Sequence, residues 1–243
     1  MIGRIAWFVG LAGIGLLTAA LQLDLSAARA PQIAPLVPEP LRAYAQQRIV
    51  EDAILGKKKA AVAEAQKLVR RRPMPAENLS LLAGAQAVAG NQQAALGTIQ
   101  VAGRRGWREP AAQEAMLRLA LAAGDRPEAA RRYIALFVRS KKAGPLLTEL
   151  GPAVFDGPDS SGRDTMTAIV VGAKRWHNGF LERGSQVMPP SAFAAIAADS
   201  IARGARFDCQ NLETSIRTLL RRDAAAGERL RAAAQKRCPG AAR

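Results

Sequence analysis

The chain has 243 residues, enough for one domain of ordinary size with appendages or for two small domains. Its 35 Lys and Arg against 20 Asp and Glu give a formal net charge of +15, which favours solubility and attracts polyanions or an anionic membrane surface. Two cysteines and one histidine exclude most zinc sites, because a tetrahedral site needs four protein ligands, or three and a water. Aromatic residues are only 5% of a chain rich in alanine, arginine and leucine, a composition that predicts an all-α protein.

The amino-terminal segment has the length and composition of a membrane span. Nineteen uncharged residues lie between Arg4 and Asp24. At about 1.5 Å rise per residue they cross most of a hydrocarbon layer about 30 Å thick. A short tail before one span is typical of bacterial signal-anchors, although the Lys and Arg counts on its two sides do not decide its orientation. We expect a transmembrane signal-anchor over residues 1–24, with a single pass through the inner membrane and the bulk of the chain in the periplasm.

A cleaved signal peptide is the alternative for this segment. Both Ala28-Arg29-Ala30 and Ser26-Ala27-Ala28 offer a small-residue cleavage site, and cleavage would release the chain into the periplasm. The apolar stretch is longer than that of a usual signal peptide, and Pro31 would follow the first of these cuts. The uncleaved anchor is therefore the preferred interpretation.

Residues 25–40 form a proline-rich segment. Four prolines lie between Ala30 and Pro40. Each proline lacks a backbone N–H and fixes φ, so the run opposes helix formation and favours an extended, semi-rigid chain. We expect a spacer that holds the folded body off the membrane.

Three glycines recur with one spacing in the middle of the chain. Gly56, Gly90 and Gly124 are equally spaced, and their separation equals the period of the tetratricopeptide repeat, about 34 residues. Five positions beyond each glycine stands an alanine, and these are Ala61, Ala95 and Ala129. Small residues are needed where two helices approach closely. The spacing therefore predicts repeated helix-turn-helix units.

Residues 41–142 resemble tetratricopeptide-repeat (TPR) proteins in these glycines and alanines, and in Pro73, which falls where the family closes a repeat. Trp107 and Lys141 depart from the family at that closing position, and Tyr133 alone keeps its aromatic residue in the second helix. The resemblance implies a short TPR-like helix-turn-helix solenoid of three units that binds a protein or peptide. The expected helix pairs are 41–55 with 58–71, 76–89 with 92–103, and 110–123 with 127–139. An irregular helical bundle with a coincidental spacing is the alternative.

Basic clusters lie in the same repeat register, at the end of the second helix of each unit. Their members are Arg70, Arg71, Arg72, Arg104, Arg105, Arg108, Arg139, Lys141 and Lys142. Stacked units would align them into one basic edge. Cations at a helix carboxyl terminus are favoured by the helix dipole, by about 0.3–1 kcal/mol each, which gives the edge a purely structural explanation. The functional alternative is an anionic partner: lipid head groups, an acidic glycan or an acidic protein.

The periodicity lapses after Lys142, and residues 143–190 predict an irregular helical insertion with one helix over about 163–183. His177 is the only histidine. No nucleophile elbow, phosphate-binding glycine loop or metal-ligand spacing accompanies it. A packing role beside Trp176 is therefore preferred over catalysis, and we expect no catalytic, cofactor-binding or metal-binding residue.

Residues 191–243 predict a carboxy-terminal helical hairpin that reverses near 222–227. The reversal would bring Cys209 and Cys238 together at its open end, and an oxidising compartment favours a disulfide between them. Two alternatives stay open. A single continuous helix would hold the cysteines about 43 Å apart, and Cys209 lies in the register of Ala61, where a free buried cysteine would fit.

These observations favour a non-enzymatic, membrane-tethered periplasmic scaffold that binds a protein or peptide partner in the cell envelope. Envelope, polysaccharide or secretion assembly is a reasonable setting by family analogy. An anionic glycan- or lipid-binding module that uses the basic edge is the alternative, and a cell-wall-active enzyme with two close carboxylates is a further one. Nucleic acid is not an expected partner, because the amino terminus directs the chain out of the cytoplasm.

Overall fold

The computed structural model describes residues 2–156, 160–235 and 237–238, with the side chain of Ile2 left out. Helices form 82% of this part of the chain, and it contains no strand, which confirms the all-α prediction. Two compact units divide the chain, Met1–Ala112 and Gln113–Arg243. The α-helices are α1 Ile2–Ala27, α2 Tyr44–Leu55, α3 Ala61–Arg71, α4 Ala76–Val88, α5 Gln92–Arg105, α6 Pro110–Ala122, α7 Arg126–Arg139, α8 Gly144–Phe155, α9 Ser161–Gly172, α10 His177–Val187, α11 Pro190–Ala202, α12 Cys209–Arg222 and α13 Ala224–Ala234.

The first unit contains α1 and two antiparallel helix pairs. α2 packs on α3 and α4 packs on α5, as the regular glycine spacing predicts, and α2 also contacts α4. Helices α6 and α7 occupy the third predicted pair of segments. The alanines five positions beyond the glycines are buried, with exposed fractions of 2% for Ala61, 7% for Ala95 and 0% for Ala129. Small residues therefore lie at these three helix starts, as expected, whereas the assignment to TPR proteins remains a proposal.

The turns that follow α4 and α6 share one hydrogen-bonding pattern. Gly90 and Gly124 have φ of +82° and +72°, and the N–H of the next residue donates to the carbonyl five positions back. This is a Schellman turn, which needs a left-handed residue and therefore favours glycine. The turn after α2 has the same bonds shifted by one residue, so that Lys57, at φ +48°, takes the left-handed position. Gly56 was predicted as the turn residue, but its φ is −78°.

We predict that Lys57→Gly raises the free energy of unfolding by about 1 kcal/mol, because a side chain in the left-handed region costs about that much. The converse change, Gly90→Ala, is expected to lower it by about 1 kcal/mol, since an added Cβ would meet no neighbour and only backbone strain would act. Urea titration of each variant measures both effects. Lys59→Ala is the control for the lost charge, and an unchanged or lower stability of Lys57→Gly would contradict the prediction.

Helices α7–α13 of the second unit alternate between two rows. One row contains α7, α9, α11 and α13, each in contact with the next, and α8, α10 and α12 form the other row in the same way. Residues 143–190, predicted as an irregular helical insertion, are helical where the structure describes them, and their helices α8, α9 and α10 follow the alternation between the two rows. The segment contributes ordered helices to both rows, although it lacks the glycine spacing that marks the earlier pairs.

The single helix predicted over 163–183 is wrong, because α9 ends at Gly172 and α10 begins at His177. A 3-10 turn, Lys174–Trp176, joins them. Nε2 of His177 lies 2.8 Å from the carbonyl oxygen of Val170. The imidazole is thus within hydrogen-bonding distance of the Val170 carbonyl. In a continuous helix, this carbonyl would accept from the backbone N–H four residues later.

The core of the second unit is aromatic at its centre. Tyr133, Phe155, Phe180 and Phe193 are essentially inaccessible to solvent. The rings of Tyr133 and Phe155 meet edge to face at 4.9 Å, and the Tyr133 hydroxyl donates to the carbonyl oxygen of Leu147 at 3.1 Å. Burial raises the pKa of Tyr133, so this hydroxyl remains a donor throughout the physiological range.

Candidate functional site

Helix α1 is long and apolar enough to cross a membrane from Gly3 to Ala27, and none of its most apolar window is buried within the protein. Ile5, Trp7, Phe8 and Leu16 each expose more than 60% of their surface. A soluble protein seldom leaves such a helix in water, since each buried side chain gains about 1.5–3 kcal/mol. The length, composition and exposure of α1 are therefore those of a membrane-spanning helix.

Asp24, which follows the apolar stretch, joins α1 to the folded body. The residue is 4% exposed, and its carboxylate accepts three backbone hydrogen bonds at the start of α2. Oδ1 accepts from the N–H groups of Ala43 at 2.8 Å and Ala45 at 2.9 Å, and Oδ2 accepts from Tyr44 at 3.1 Å. An acidic group satisfies the free donors of a helix amino terminus and is stabilised by the helix dipole. Asp24 thus caps a helix that begins only after the whole proline-rich segment.

The proline-rich segment does not form the extended spacer that its composition predicts. It folds into two 3-10 helices, Pro31–Leu36 and Glu39–Leu41. Ala34 and Val37 are buried in one small cluster with Ala27 of α1 and Ala45 of α2. Apolar residues between the prolines supply this contact, and Arg42 stabilises the fold by donating to the carbonyl of Val37 at 2.7 Å. The end of α1 therefore lies directly against the first unit.

The start of α2 lies beside Asp24, and its next turn lies beside the end of α1, where Arg48 Nη2 donates to the Ala28 carbonyl at 2.8 Å. α2 thus starts at the level of Asp24 and leads past the end of α1. The antiparallel partner α3 ends where α2 starts, because the Arg71 guanidinium donates to Gln46 and the Arg72 guanidinium lies over the Tyr44 ring at 4.8 Å. We call this end of the first unit the α1-side end.

The residues predicted to form the basic edge divide into cations with internal partners and cations with none. Arg71 and Arg72 have the contacts just described, and Arg105 Nη1 donates to the Pro73 carbonyl at 2.6 Å. The Arg108 guanidinium lies 5.1 Å from the centre of the Trp107 ring. Arg139 also has an internal interaction. Within the part of the chain that the structure describes, no ion pair or hydrogen bond engages the exposed side chains of Arg70, Arg104, Lys141 and Lys142.

Three further arginines bond to carbonyl oxygens at the ends of other helices, a role that no sequence pattern indicated. Arg163 donates to Phe155 at the end of α8 at 2.6 Å. Arg183 donates to the carbonyls of Phe137 and Ser140 at the end of α7, and Arg222 reaches those of Ser185 and Met188 at the end of α10. Part of the large positive charge is therefore structural.

Helix α5 presents an uncharged outer face. No charged residue lies from Gln92 to Gly103, although 23% of the chain is charged, so about three would be expected in a run of this length. Gln93, Leu96, Gly97 and Val101 are nevertheless exposed, with Leu96 at 40% and Val101 at 46%. Depletion of charge on an exposed face is typical of the centre of a protein-protein interface.

A cavity of about 600 Å³ lies between the first 3-10 helix, α2 and α3. Its charged lining residues have internal partners: Lys58 pairs with Asp52 at 2.6 Å, and Gln46 and Lys67 donate to Glu64 at 2.7 and 2.9 Å. Partial burial raises the pKa of Glu64, but these hydrogen bonds outweigh burial and the pKa lies below its usual value. The wall of the cavity is therefore mostly apolar, and most of its charged side chains are already paired within the protein.

A second cavity, of about 450 Å³, is lined in part by Lys174, His177 and Arg206. His177 is 6% exposed, and its Nε2 and Nδ1 lie 2.8 and 3.4 Å from the carbonyl oxygens of Val170 and Arg206. Its ring meets Phe207 edge to face at 5.0 Å. Both ring nitrogens are thus directed at backbone carbonyls, which suits a packing residue.

The enzyme alternative requires two close carboxylates, and Glu77 and Glu109 are near enough to interact electrostatically. Burial raises the pKa of Glu109, and the negative charge of Glu77 raises it further, while a hydrogen bond involving Ser80 acts in the opposite direction. Neither glutamate lines the two cavities described above. Within the described residues, no group of three His, Cys, Asp or Glu side chains is placed to hold a metal ion.

Cys209 and Cys238 form a disulfide, with Cα atoms 5.6 Å apart. The chain reverses at Asp223, which ends α12 and caps α13 by accepting from the N–H of Ala226 at 3.0 Å. The predicted reversal near 222–227 and the disulfide are therefore confirmed, and both alternatives are wrong, although residues 191–243 also include most of α11, which precedes the hairpin. Cys209 is exposed and bonded, so it does not act as the buried small residue that its register with Ala61 suggested. The bond is consistent with an oxidising compartment.

No protein-family model, curated protein sequence or solved structure matches this chain.

Proposed function

We propose that this chain is a non-enzymatic scaffold, anchored in the bacterial inner membrane by α1, whose folded body lies in the periplasm and binds a protein or peptide partner. The apolar helix supports the anchor and the disulfide supports an oxidising compartment. The paired helices, with turns at one regular spacing, support a TPR-like mode of binding. Assembly of the envelope, of a polysaccharide exporter or of a secretion machine is the setting that fits such a scaffold.

The observation that carries this proposal is the uncharged outer face of α5. In a protein of net charge +15, an exposed helix without a charge over three turns is costly for solubility and is best explained by a partner that covers it. Leu96 and Val101 flank this face, with Gln93, Gly97 and Gln100 between them. The absence of a side chain at Gly97 lets a partner approach the backbone closely.

We predict that the double variant Leu96→Glu/Val101→Glu loses its envelope partner. A charge buried at the centre of an interface typically costs enough to weaken binding about 30-fold or more. The measurement is chemical cross-linking of the full-length tethered chain in intact cells, followed by pull-down and quantification of each captured protein. Glutamate is a good helix former, so circular dichroism should show an intact α5.

The matched control is Leu55→Glu/Val138→Glu, which places the same charges at two other exposed apolar positions, 84% and 48% accessible. This control should capture the partner as wild type does. Equal capture by all three proteins would contradict the assignment of the α5 face, and a wild-type chain that captures no protein would contradict the scaffold proposal.

Recognition of an anionic glycan or lipid by the basic edge is a second candidate function. It is favoured by the exposed cations that lack an internal partner among the described residues, Arg70, Arg104, Lys141 and Lys142. Such binding should weaken sharply as ionic strength rises, because exposed charges are screened beyond about 8–10 Å at physiological salt.

A further inference from the structure

The four helices of the two pairs in the first unit each place one terminus at the α1-side end. A continuous chain of contacts shows this: Asp24 caps Tyr44, whose ring lies under the Arg72 guanidinium. The Arg72 carbonyl accepts from Asn78 at 2.7 Å, near the start of α4, and the adjacent Pro73 carbonyl accepts from Arg105, at the end of α5. The starts of α2 and α4 and the ends of α3 and α5 therefore lie together, next to the residue that ends the apolar stretch of α1.

The side chains exposed at this end combine cations with large apolar groups. Arg70 and Arg104 are exposed and lack an internal partner in the described part of the chain, and Arg108 lies over Trp107. The exposed fraction is 79% for Met74, 49% for Trp107 and 38% for Tyr44. The carboxylates nearby are Asp24, which caps α2, Glu39, which pairs with Lys67 at 3.2 Å, and the Glu77–Glu109 pair. Cations outnumber them.

Exposed cations next to exposed aromatic and large apolar side chains are typical of protein surfaces that bind a membrane. Trp and Tyr favour the head-group level, where the ring is half in the apolar layer. Each Lys or Arg close to an anionic leaflet strengthens binding about fivefold, and the attraction falls off within about 10 Å of the surface. The α1-side end lies beside the end of α1, and it is therefore close enough to a membrane spanned by α1 for this attraction to act.

We propose that the α1-side end of the first unit binds the head groups of anionic phospholipids in the membrane that α1 spans, with Arg70, Arg104 and Arg108 on the phosphates and Trp107 and Met74 in the interface. This inference rests on the part of the proposed function that places α1 in a membrane. It goes beyond that function because it gives the basic clusters of the first unit a ligand in the anchor's own bilayer.

The test uses the full-length chain in nanodiscs and one tryptophan at a time. In the first protein, Trp7→Phe/Trp176→Phe, Trp107 reports on the α1-side end, and in the second, Trp107→Phe/Trp176→Phe, Trp7 reports on α1. Lipids brominated near the top of the acyl chain quench a tryptophan at the interface. We expect Trp107 to be quenched strongly in discs that contain phosphatidylglycerol and weakly in phosphatidylcholine alone, with the difference lost at high salt.

Adding Arg70→Gln/Arg104→Gln to the first protein should weaken the docked state about 30-fold, and thus abolish most of the quenching that depends on phosphatidylglycerol. The matched control Lys141→Gln/Lys142→Gln removes the same charge from two exposed cations of the second unit and should leave Trp107 quenching unchanged. Equal loss with both pairs, or equal quenching of Trp107 in both kinds of disc, would overturn the proposal.

Two further outcomes distinguish the remaining possibilities. If brominated lipid leaves Trp7 unquenched, the membrane anchor itself fails and the lipid site fails with it. If Trp7 is quenched but Trp107 responds only to an added soluble acidic polysaccharide such as alginate, the phospholipid proposal is wrong. The membrane anchor would then be supported, and the α1-side end would be a glycan site.

Discussion

Reduction of the Cys209–Cys238 bond, or its removal by Cys209→Ser, is expected to lower the free energy of unfolding of the second unit by about 3–4 kcal/mol. The bond closes a segment with a sequence separation of 29 that contains α12 and α13. Without it, the unfolded chain regains the entropy that the closed loop removes. α13 is short and buries only small side chains and Leu230, so its packing alone would not compensate for the loss.

Urea unfolding of the full-length chain in detergent, followed with and without reductant, measures this difference. Cys209 is the better position to replace, because it is exposed and serine there buries no hydroxyl group. Adding reductant to wild type should reproduce the serine variant, and reductant should then have no further effect on the variant. Identical unfolding curves for oxidised and reduced wild type would contradict the prediction.

Replacement of Asp24 by alanine is expected to release α1 from the first unit. Three N–H groups would lose a charged acceptor, a loss of about 2–4 kcal/mol that the short contact cluster around Ala27 and Val37 cannot offset. Hydrogen exchange of the Ala43, Tyr44 and Ala45 amides should accelerate by about 30-fold to 1,000-fold, and limited proteolysis should begin to cut within residues 28–42.

The conservative variant Asp24→Asn keeps one acceptor oxygen and should give an intermediate exchange rate. The matched control is Asp125→Ala, which removes an exposed cap that makes a single hydrogen bond, to the N–H of Glu128 at 2.9 Å, and should cost only about 1 kcal/mol. If the amides of Ala43 and Ala45 exchange at the wild-type rate in Asp24→Ala, then Asp24 does not hold the junction.

Local patterns in the sequence predicted the helices well. The bounds of α2 to α7 follow from the regular glycine spacing, from Pro110 and Pro127 near helix starts, and from glycines that end helices. The hairpin at Asp223 and its disulfide follow from the placement of the two cysteines on either side of the predicted reversal. These features depend on residues close together in the chain, or on one closed loop.

Features that depend on distant residues could not be predicted. Asp24 looked like the end of an apolar run, and only the fold brings it to the N–H groups of Ala43 to Ala45. The prolines between Ala30 and Pro40 predicted an extended spacer, whereas the apolar residues between them pack against α2. Arg183 and Arg222 bond to carbonyls of helices far away in the chain, where no sequence spacing is informative. The uncharged run in α5 was visible in the sequence, but its exposure was not.

If α1 spans a membrane, as proposed, the cap made by Asp24 also sets how far the folded body can reach from that membrane. A flexible linker of about 16 residues would let the body explore a radius of roughly 20–25 Å around the end of α1. With the linker folded and the first helix pair bound to α1, the first unit is instead presented at one height and in one orientation. A partner embedded in the same bilayer would meet the α5 face by lateral diffusion alone, at a raised effective concentration, whereas a partner at another height would not engage.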